Sequence, residues 1–168
     1  MYNIQNGEVE YKKIRRVHLT NNEVRRYELK NNDLLLNRVN SKELVGKTAI
    51  IRTPQEKLVY ESMNMRIRLI PKESSEFINM FILTKETKDY FSNISKVANG
   101  QVSINQGHVF SLIVALSPLM EQKAIVSKVE KLLTLCDQLE AQITTNQTHT
   151  EQLMQAVLKE AFSQSEVA

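Results

Sequence analysis

The chain has 168 residues, of which 42% are hydrophobic and 24% charged, and its formal net charge is +3 at pH 7. This composition fits one compact domain with an extension. The single cysteine excludes a disulfide framework and fits a reducing cytosol, and no apolar run is long enough to span a bilayer. We therefore expect no signal peptide and a cytoplasmic location.

Charge is distributed unevenly along the chain. Residues 1–118 carry 18 Lys and Arg against 12 Asp and Glu, whereas residues 119–168 carry 4 against 7. The basic surplus therefore lies in the first part. It makes an acidic partner such as nucleic acid plausible for that part alone, although a surplus of this size is not diagnostic.

The first 118 residues predict a mixed α/β domain. Met1–Gln5 followed by Asn6-Gly7 predicts a strand and a hairpin turn, with Val9 and Tyr11 alternating beyond it. A helix is predicted from Ser75 to about Ile94. Short apolar or alternating runs predict further strands at 34–39, 48–51, 58–60, 65–70 and 112–116, and residues 99–107 form a predicted loop rich in amide side chains.

Residues 119–168 predict one long helix, because they contain neither Gly nor Pro. Ser117 is the predicted N-cap and Pro118 the predicted first helical residue. About forty residues at about 1.5 Å each make a rod of about 60 Å. The whole chain is therefore predicted to be an α+β protein, a small mixed α/β domain followed by one long helix.

The long helix carries a seam that recurs at alternating steps of four and three residues, which is typical of a coiled coil. Its positions are Ile125, Val129, Leu132, Cys136, Leu139, Ile143, Asn146, Thr150, Leu153 and Val157. In one interpretation the helix only covers its own domain, with a hinge near the polar position Asn146. We favour the other interpretation, association with a second helix, because the seam continues beyond any contact a small domain offers.

Motifs of catalysis and cofactor binding are missing from the sequence. It has no glycine-rich phosphate loop, no dinucleotide fingerprint and no nucleophile elbow. His18, His108 and His149 are scattered, so no metal site is expected. Glu-x-Lys triplets start at Glu10, Glu28 and Glu86 without the rest of a nuclease site. We predict a protein that is not an enzyme and needs no cofactor.

Several segments resemble the specificity subunits of type I restriction-modification systems. The segments similar to the conserved helix of that family are 118–126 (PLMEQKAIV), 135–142 (LCDQLEAQ) and 153–161 (LMQAVLKEA). Those similar to its target recognition domain are 33–41 (DLLLNRVNS), 44–47 (LVGK) and 105–107 (NQG). One departure is Ser117, where the family commonly has a second Pro.

A larger departure concerns architecture, since full-length members carry two recognition domains and two such helices. The resemblance also begins partway into a recognition domain. It therefore implies a half-subunit or a fragment, with an N-terminally incomplete target recognition domain over residues 1–117 and the conserved helix over residues 118–168.

The resemblance implies a function in DNA recognition. The chain would bind one half of a split double-stranded DNA target, form a homodimer through an antiparallel coiled coil, and dock methyltransferase subunits and, through them, the restriction subunit. Its own chain would supply no catalytic residue. The alternative is a truncated remnant that acts only as a coiled-coil interaction module without DNA recognition.

Candidate DNA contacts are polar or basic side chains in two predicted loops, because polar groups read base edges while Lys and Arg contact phosphates. Each of them could equally be a solvated residue that stabilises a turn. They are Arg38, Asn40, Ser41, Lys42 and Lys47 in the first loop, and Asn99, Gln101, Ser103, Asn105 and Gln106 in the second. The candidate helix–helix interface consists of Ile125, Val129, Leu132, Cys136, Leu139, Ile143, Leu153 and Val157.

Overall fold

The computed structural model describes residues 4–5, 7–11, 14–52, 54, 56–70, 73–98 and 101–164. The chain divides into two compact units, Met1–Val126 and Ser127–Ala168, which are described separately. Its helices and strands are, in chain order, β1 (Ile4–Gln5), β2 (Glu8–Val9), α1 (Asn21–Tyr27), β3 (Glu28–Leu29), β4 (Leu34–Asn37), β5 (Val39–Asn40), β6 (Thr48–Ile50), β7 (Leu58–Val59), β8 (Asn64–Ile67), α2 (Ser75–Leu83), α3 (Lys85–Ile94), β9 (Lys96–Ala98), β10 (Gln101–Ser103), α4 (Gln106–Phe110) and α5 (Leu119–Gln164).

A five-stranded sheet with the order β1-β2-β6-β4-β8 organises the first unit. Strand β4 pairs antiparallel with both β6 and β8, whereas β2 pairs parallel with β6. The predicted hairpin is confirmed, since Ile4 pairs with Val9 across β1 and β2. Gly7 in its turn has φ +83°, a conformation that favours glycine. Asn6 lies outside the described residues.

Both faces of strand β4 are buried, which explains its unbroken apolar run. Leu34 and Leu36 enter the main core together with Ile78, Ile82 and Phe91 of α2 and α3. Leu35 points into a smaller core that also contains Leu29, Ala49 and Ile51. Strand β4 therefore contributes side chains to both apolar cores, one on each face of the sheet.

The predicted single helix from Ser75 to Ile94 is wrong in one respect, because the structure has two helices. Thr84 ends α2, where its N–H donates to the Phe81 carbonyl, and its side chain accepts from Thr87 N at the start of α3. A β-branched residue with an extended backbone (ψ 156°) thus interrupts the apolar pattern.

The predicted strand at 112–116 is also wrong. These residues form no strand, and Ile113 is 89% exposed. Conversely, the predicted amide-rich loop contains strand β10 and the short helix α4, and α1 was missed. The signal for α1 is a capping box, in which the side chains of Thr20 and Glu23 bond to each other's backbone N–H groups.

The predicted long helix is confirmed as α5. The helix begins at Leu119, and the N–H groups of Glu121 and Gln122 donate to the Pro118 carbonyl at 2.8 and 3.0 Å, so Pro118 and not Ser117 is the N-cap residue. Gln122 is only 2% exposed. Its Oε1 accepts from Ser74 N at 3.0 Å and its Nε2 donates to the Ser117 carbonyl at 2.8 Å. Both ends of this buried amide are therefore satisfied.

The hinge interpretation of the region around Asn146 is wrong, because α5 continues unbroken through it. Hydroxyl groups of this region donate to carbonyl groups four residues earlier, as Thr144 does to Glu140 O at 3.0 Å and Thr150 to Asn146 O at 2.8 Å. These bonds satisfy the threonine hydroxyls within the helix. The helix is unbroken here although this region contains several poor helix formers.

Within the part of the chain that the structure describes, no helix is long and apolar enough to cross a membrane.

Candidate nucleic-acid interface

The two predicted recognition loops meet on one small sheet, although more than fifty residues separate them in sequence. Strand β5 of the first segment pairs antiparallel with β10 of the second, and Asn40 stands opposite Val102. Next to this pair, Ile104 N donates to the Arg38 carbonyl at 2.9 Å, and Arg38 Nε donates to the Ile104 carbonyl at 3.3 Å. The structure thus brings the two segments together as neighbouring strands, with Asn40 on the same sheet face as the buried Val102.

The first segment forms a closed loop. At its base, Asn37 N donates to the Lys47 carbonyl at 2.7 Å and Gly46 N donates to the Asn37 carbonyl at 2.9 Å. Gly46 has φ +82°, and a Cβ at this position would lie 2.8 Å from a Phe91 ring carbon. A side chain at Gly46 would therefore disturb both the turn and the core beneath it.

Two of the predicted contact residues stabilise this loop. Asn40 Nδ2 donates to Asn37 Oδ1 at 2.9 Å, and Asn40 Oδ1 accepts from Ser41 N at 2.9 Å. Hydrogen bonds from the Glu43 backbone and then from the Ser41 side chain lower the pKa of the exposed Glu43 carboxyl. For Asn40 and Ser41, these contacts fit the alternative interpretation, in which a candidate residue stabilises a turn.

The other candidates differ in their exposure and in their hydrogen bonds within the chain. Lys42, Gln101 and Gln106 are exposed, and Lys47, Arg38 and Ser103 are half-buried. Asn105 is exposed but caps α4, where its Oδ1 accepts from His108 N at 3.0 Å. Asn99 lies outside the described residues. Lys42, Gln101 and Gln106 are therefore the candidates best placed to contact an external partner.

Residues 63 and 64 form a third segment, which lies beside the first. The sequence patterns do not predict this contact. Arg38 N donates to the Met63 carbonyl at 2.9 Å, and Asn37 Nδ2 donates to Asn64 Oδ1 at 3.2 Å. Asn37 is 2% exposed and Asn64 is 8% exposed. Asn37, at the end of the apolar strand β4, is a signal in the sequence for this contact, because a buried amide requires hydrogen-bond partners.

Several arginines elsewhere in the first unit have partners within the chain. Arg68 Nη2 lies 2.5 Å from Asp33 Oδ2, and Arg52 Nη1 lies 2.7 Å from Glu76 Oε1. The hydrogen bonds that Arg68 donates to the Asp33 carboxylate raise the pKa of Arg68. Arg26 and Arg66 instead lie over the rings of Tyr27 and Tyr60, at 5.6 and 5.8 Å. All four of these arginines therefore have contacts within the chain.

Among the described residues, no group of three or more His, Cys, Asp or Glu side chains is placed to hold a metal ion.

Helix α5 presents a different kind of surface. Its seam side chains are exposed for most of its described length. The large exposed apolar residues of the seam are Ile125 (39%), Leu132 (50%), Leu139 (51%), Ile143 (56%), Leu153 (67%) and Val157 (57%). An exposed apolar stripe of this length indicates a binding surface.

Comparison with known proteins gives a consistent set of relatives. The family model of the type I restriction modification DNA specificity domain matches residues 2–147. The chain is 30% identical over 161 residues to the specificity subunit of the type I restriction enzyme EcoKI of Escherichia coli strain K12, a match that covers 95% of this chain and 35% of the relative.

Two further relatives come from other organisms. The StySPI specificity subunit of Salmonella potsdam is 32% identical over 150 residues, which are 88% of this chain and 32% of the relative. The putative MjaX specificity subunit of Methanocaldococcus jannaschii is 32% identical over 104 residues, which are 61% of this chain and 24% of the relative. The chain thus spans about a third or less of the length of the curated relatives that it matches.

Proposed function

This chain belongs to the family of type I restriction modification DNA specificity domains, and we propose that it binds one half of a split double-stranded DNA target through its residues 1–117. The observation that supports the proposal is the pairing of β5 with β10, which joins the two candidate segments in one sheet. Recognition by two neighbouring polar segments suits base edges in a groove.

The candidate residues divide by chemistry in this proposal. Lys42, Lys47 and Arg38 contact phosphates, because their cations release counterions from the duplex. The polar side chains of the second segment, Asn99, Gln101, Ser103, Asn105 and Gln106, reach base edges. Asn40 and Ser41 hold the first loop in shape and lie at the edge of the contact area.

Helix α5 supplies the assembly surface in the same proposal. Two copies pair antiparallel along the exposed seam and form a homodimer. Such a two-fold assembly binds two half-sites of a palindromic split sequence. Methyltransferase subunits dock on the paired helices and carry the catalytic residues, and the restriction subunit joins through them.

A second candidate function follows from the exposed seam alone. If the globular unit reads no DNA, the chain still acts as a coiled-coil interaction module that captures another copy or a longer specificity subunit. The exposed fractions of Leu139 and Leu153, 51% and 67%, favour such a partner under either function.

Titration of DNA affinity with salt tests the proposal and separates the two functions. The full chain is mixed with a fluorescent duplex pool between about 50 and 200 mM salt, and affinity should fall steeply as salt rises. Lys42→Ala should reduce the logarithmic salt slope by about one, the value for one lost phosphate contact. Lys159→Ala on α5 removes the same charge elsewhere and should leave the slope unchanged.

Affinity that stays flat across this salt range would refute DNA binding and leave the interaction module. An unchanged slope in Lys42→Ala would instead remove this residue from the contact surface.

A further inference from the structure

We infer that the turn at residues 61–63 is a third part of the DNA-reading surface, in which the Met63 side chain contacts a base edge through an apolar contact. The inference rests on the proposed function, since it assigns a further specificity-determining residue to the same surface. Neither the spacing nor the charge of the turn suggests this role.

The register of the central sheet places the turn beside the first loop. Strands β4 and β8 pair antiparallel, and their last pair is Asn37 with Asn64. The chain therefore leaves β4 toward the loop at the same end of the sheet at which it enters β8 from the turn. Arg38 N, the first group beyond β4, donates to the Met63 carbonyl at 2.9 Å.

Three asparagine amides connect the turn to the loop in a chain with one direction. Asn37 Nδ2 donates to Asn64 Oδ1 at 3.2 Å, Asn40 Nδ2 donates to Asn37 Oδ1 at 2.9 Å, and Asn40 Oδ1 accepts from Ser41 N at 2.9 Å. Hydrogen bonds in such a chain polarise and strengthen one another where solvent is excluded. Because Asn37 also donates to the Met63 carbonyl at 3.3 Å, the turn and the loop are held as one unit.

Met63 itself is 39% exposed, next to the backbone of Arg38. A single exposed methionine is ordinary on a protein surface, but this one belongs to a turn that is fixed against the candidate loop. Its flexible thioether chain can pack against the methyl group of thymine, the one apolar group that the major groove presents. The candidate contacts of the other two segments are polar, so Met63 would add an apolar contact beside Leu44 of the first loop, which is also 39% exposed.

The test measures base preference with Met63→Ala in the full chain. Binding to a library of randomised half-sites should lose its preference for A·T pairs at one position by roughly fourfold, the factor that corresponds to burying one methyl group. The salt slope should stay unchanged, because no phosphate contact is removed. Met120→Ala is the matched control, since Met120 is 77% exposed at the start of α5.

Three outcomes have distinct meanings. A local loss of preference in Met63→Ala alone, with unchanged thermal unfolding, supports the inference. Unchanged preference at every position in Met63→Ala, while the unaltered chain remains specific, overturns the inference and leaves the proposed function intact. A lack of any base preference in the unaltered chain overturns both.

Discussion

The two units of this chain differ in which side chains they bury and which they expose. In the globular unit, polar groups turn inward and bond to each other, as the buried amides of Asn37 and Gln122 show. In the rod, the threonine hydroxyls are satisfied by the helix itself, and apolar side chains such as Leu139 face outward. Among the described residues of the first unit, Thr48 Oγ1, Asn79 Oδ1 and Ser117 Oγ are buried without a hydrogen-bond partner, whereas the second unit exposes an apolar seam.

Of the predicted effects, we expect the largest from a substitution in the seam of α5. Leu139→Asp places a carboxylate in the middle of the proposed helix–helix interface, and its desolvation should raise the dissociation constant of the dimer by at least about a hundredfold. Light scattering over a range of concentrations measures the effect. Gln138→Asp, one position away on the outer face, should leave the dimer intact.

A monomer at every concentration in the unaltered protein would contradict self-association through α5.

The orientation of the two helices can be tested with the single cysteine. If all seam positions of two antiparallel copies face each other, Cys136 of one copy lies opposite Asn146 of the other, and the two Cys136 residues lie about 15 Å apart along the axis. A disulfide requires Cα atoms within about 7 Å. Asn146→Cys should therefore cross-link rapidly to Cys136 under oxidation, whereas the unaltered protein should not cross-link.

A Cys136–Cys136 disulfide in the unaltered protein would indicate parallel helices instead. The double variant Cys136→Ser with Asn146→Cys controls for random collision, since its cysteines are also far apart in the antiparallel arrangement.

The smallest of these effects concerns the inward-facing amides of the globular unit. Asn37→Asp keeps the shape of the side chain but removes the donor to Asn64 Oδ1, and should lower the free energy of unfolding by about 1–3 kcal/mol. Urea unfolding at neutral pH measures the loss. Asn93→Asp, at an exposed position of α3, is the matched control. Equal stability of the two variants would show that the amide chain contributes nothing to the fold.

The sequence predicted the rod better than the globular unit, for a physical reason. Helical periodicity is local, so the seam and the absence of Gly and Pro were enough to predict α5, which the structure confirms at Leu119–Gln164. The resemblance to specificity subunits is also confirmed by the family match to residues 2–147. The mixed α/β character of the first unit is confirmed, including the β1–β2 hairpin.

Pairing between distant segments could not be predicted from local patterns. Nothing in residues 39–40 indicates that they pair with 101–103, and β10 was therefore interpreted as loop. The apolar run at 112–116 resembled a buried strand, yet Ile113 is exposed, because hydrophobic content alone does not decide which residues are covered. The position of the turn that contains Met63 also depends on a contact between distant segments, the hydrogen bond from Arg38 N to the Met63 carbonyl. The role of each candidate residue in DNA binding remains a prediction.

Mapping of methylated bases tests the central claim most directly. The chain is co-expressed with a modification subunit from the same genome, and methylation is mapped across the host DNA. The account predicts new methylation at a palindromic, split motif, since two globular units joined by their helices would each bind one half. Unchanged methylation despite a co-purifying complex would contradict it, and would leave the helix as an interaction module.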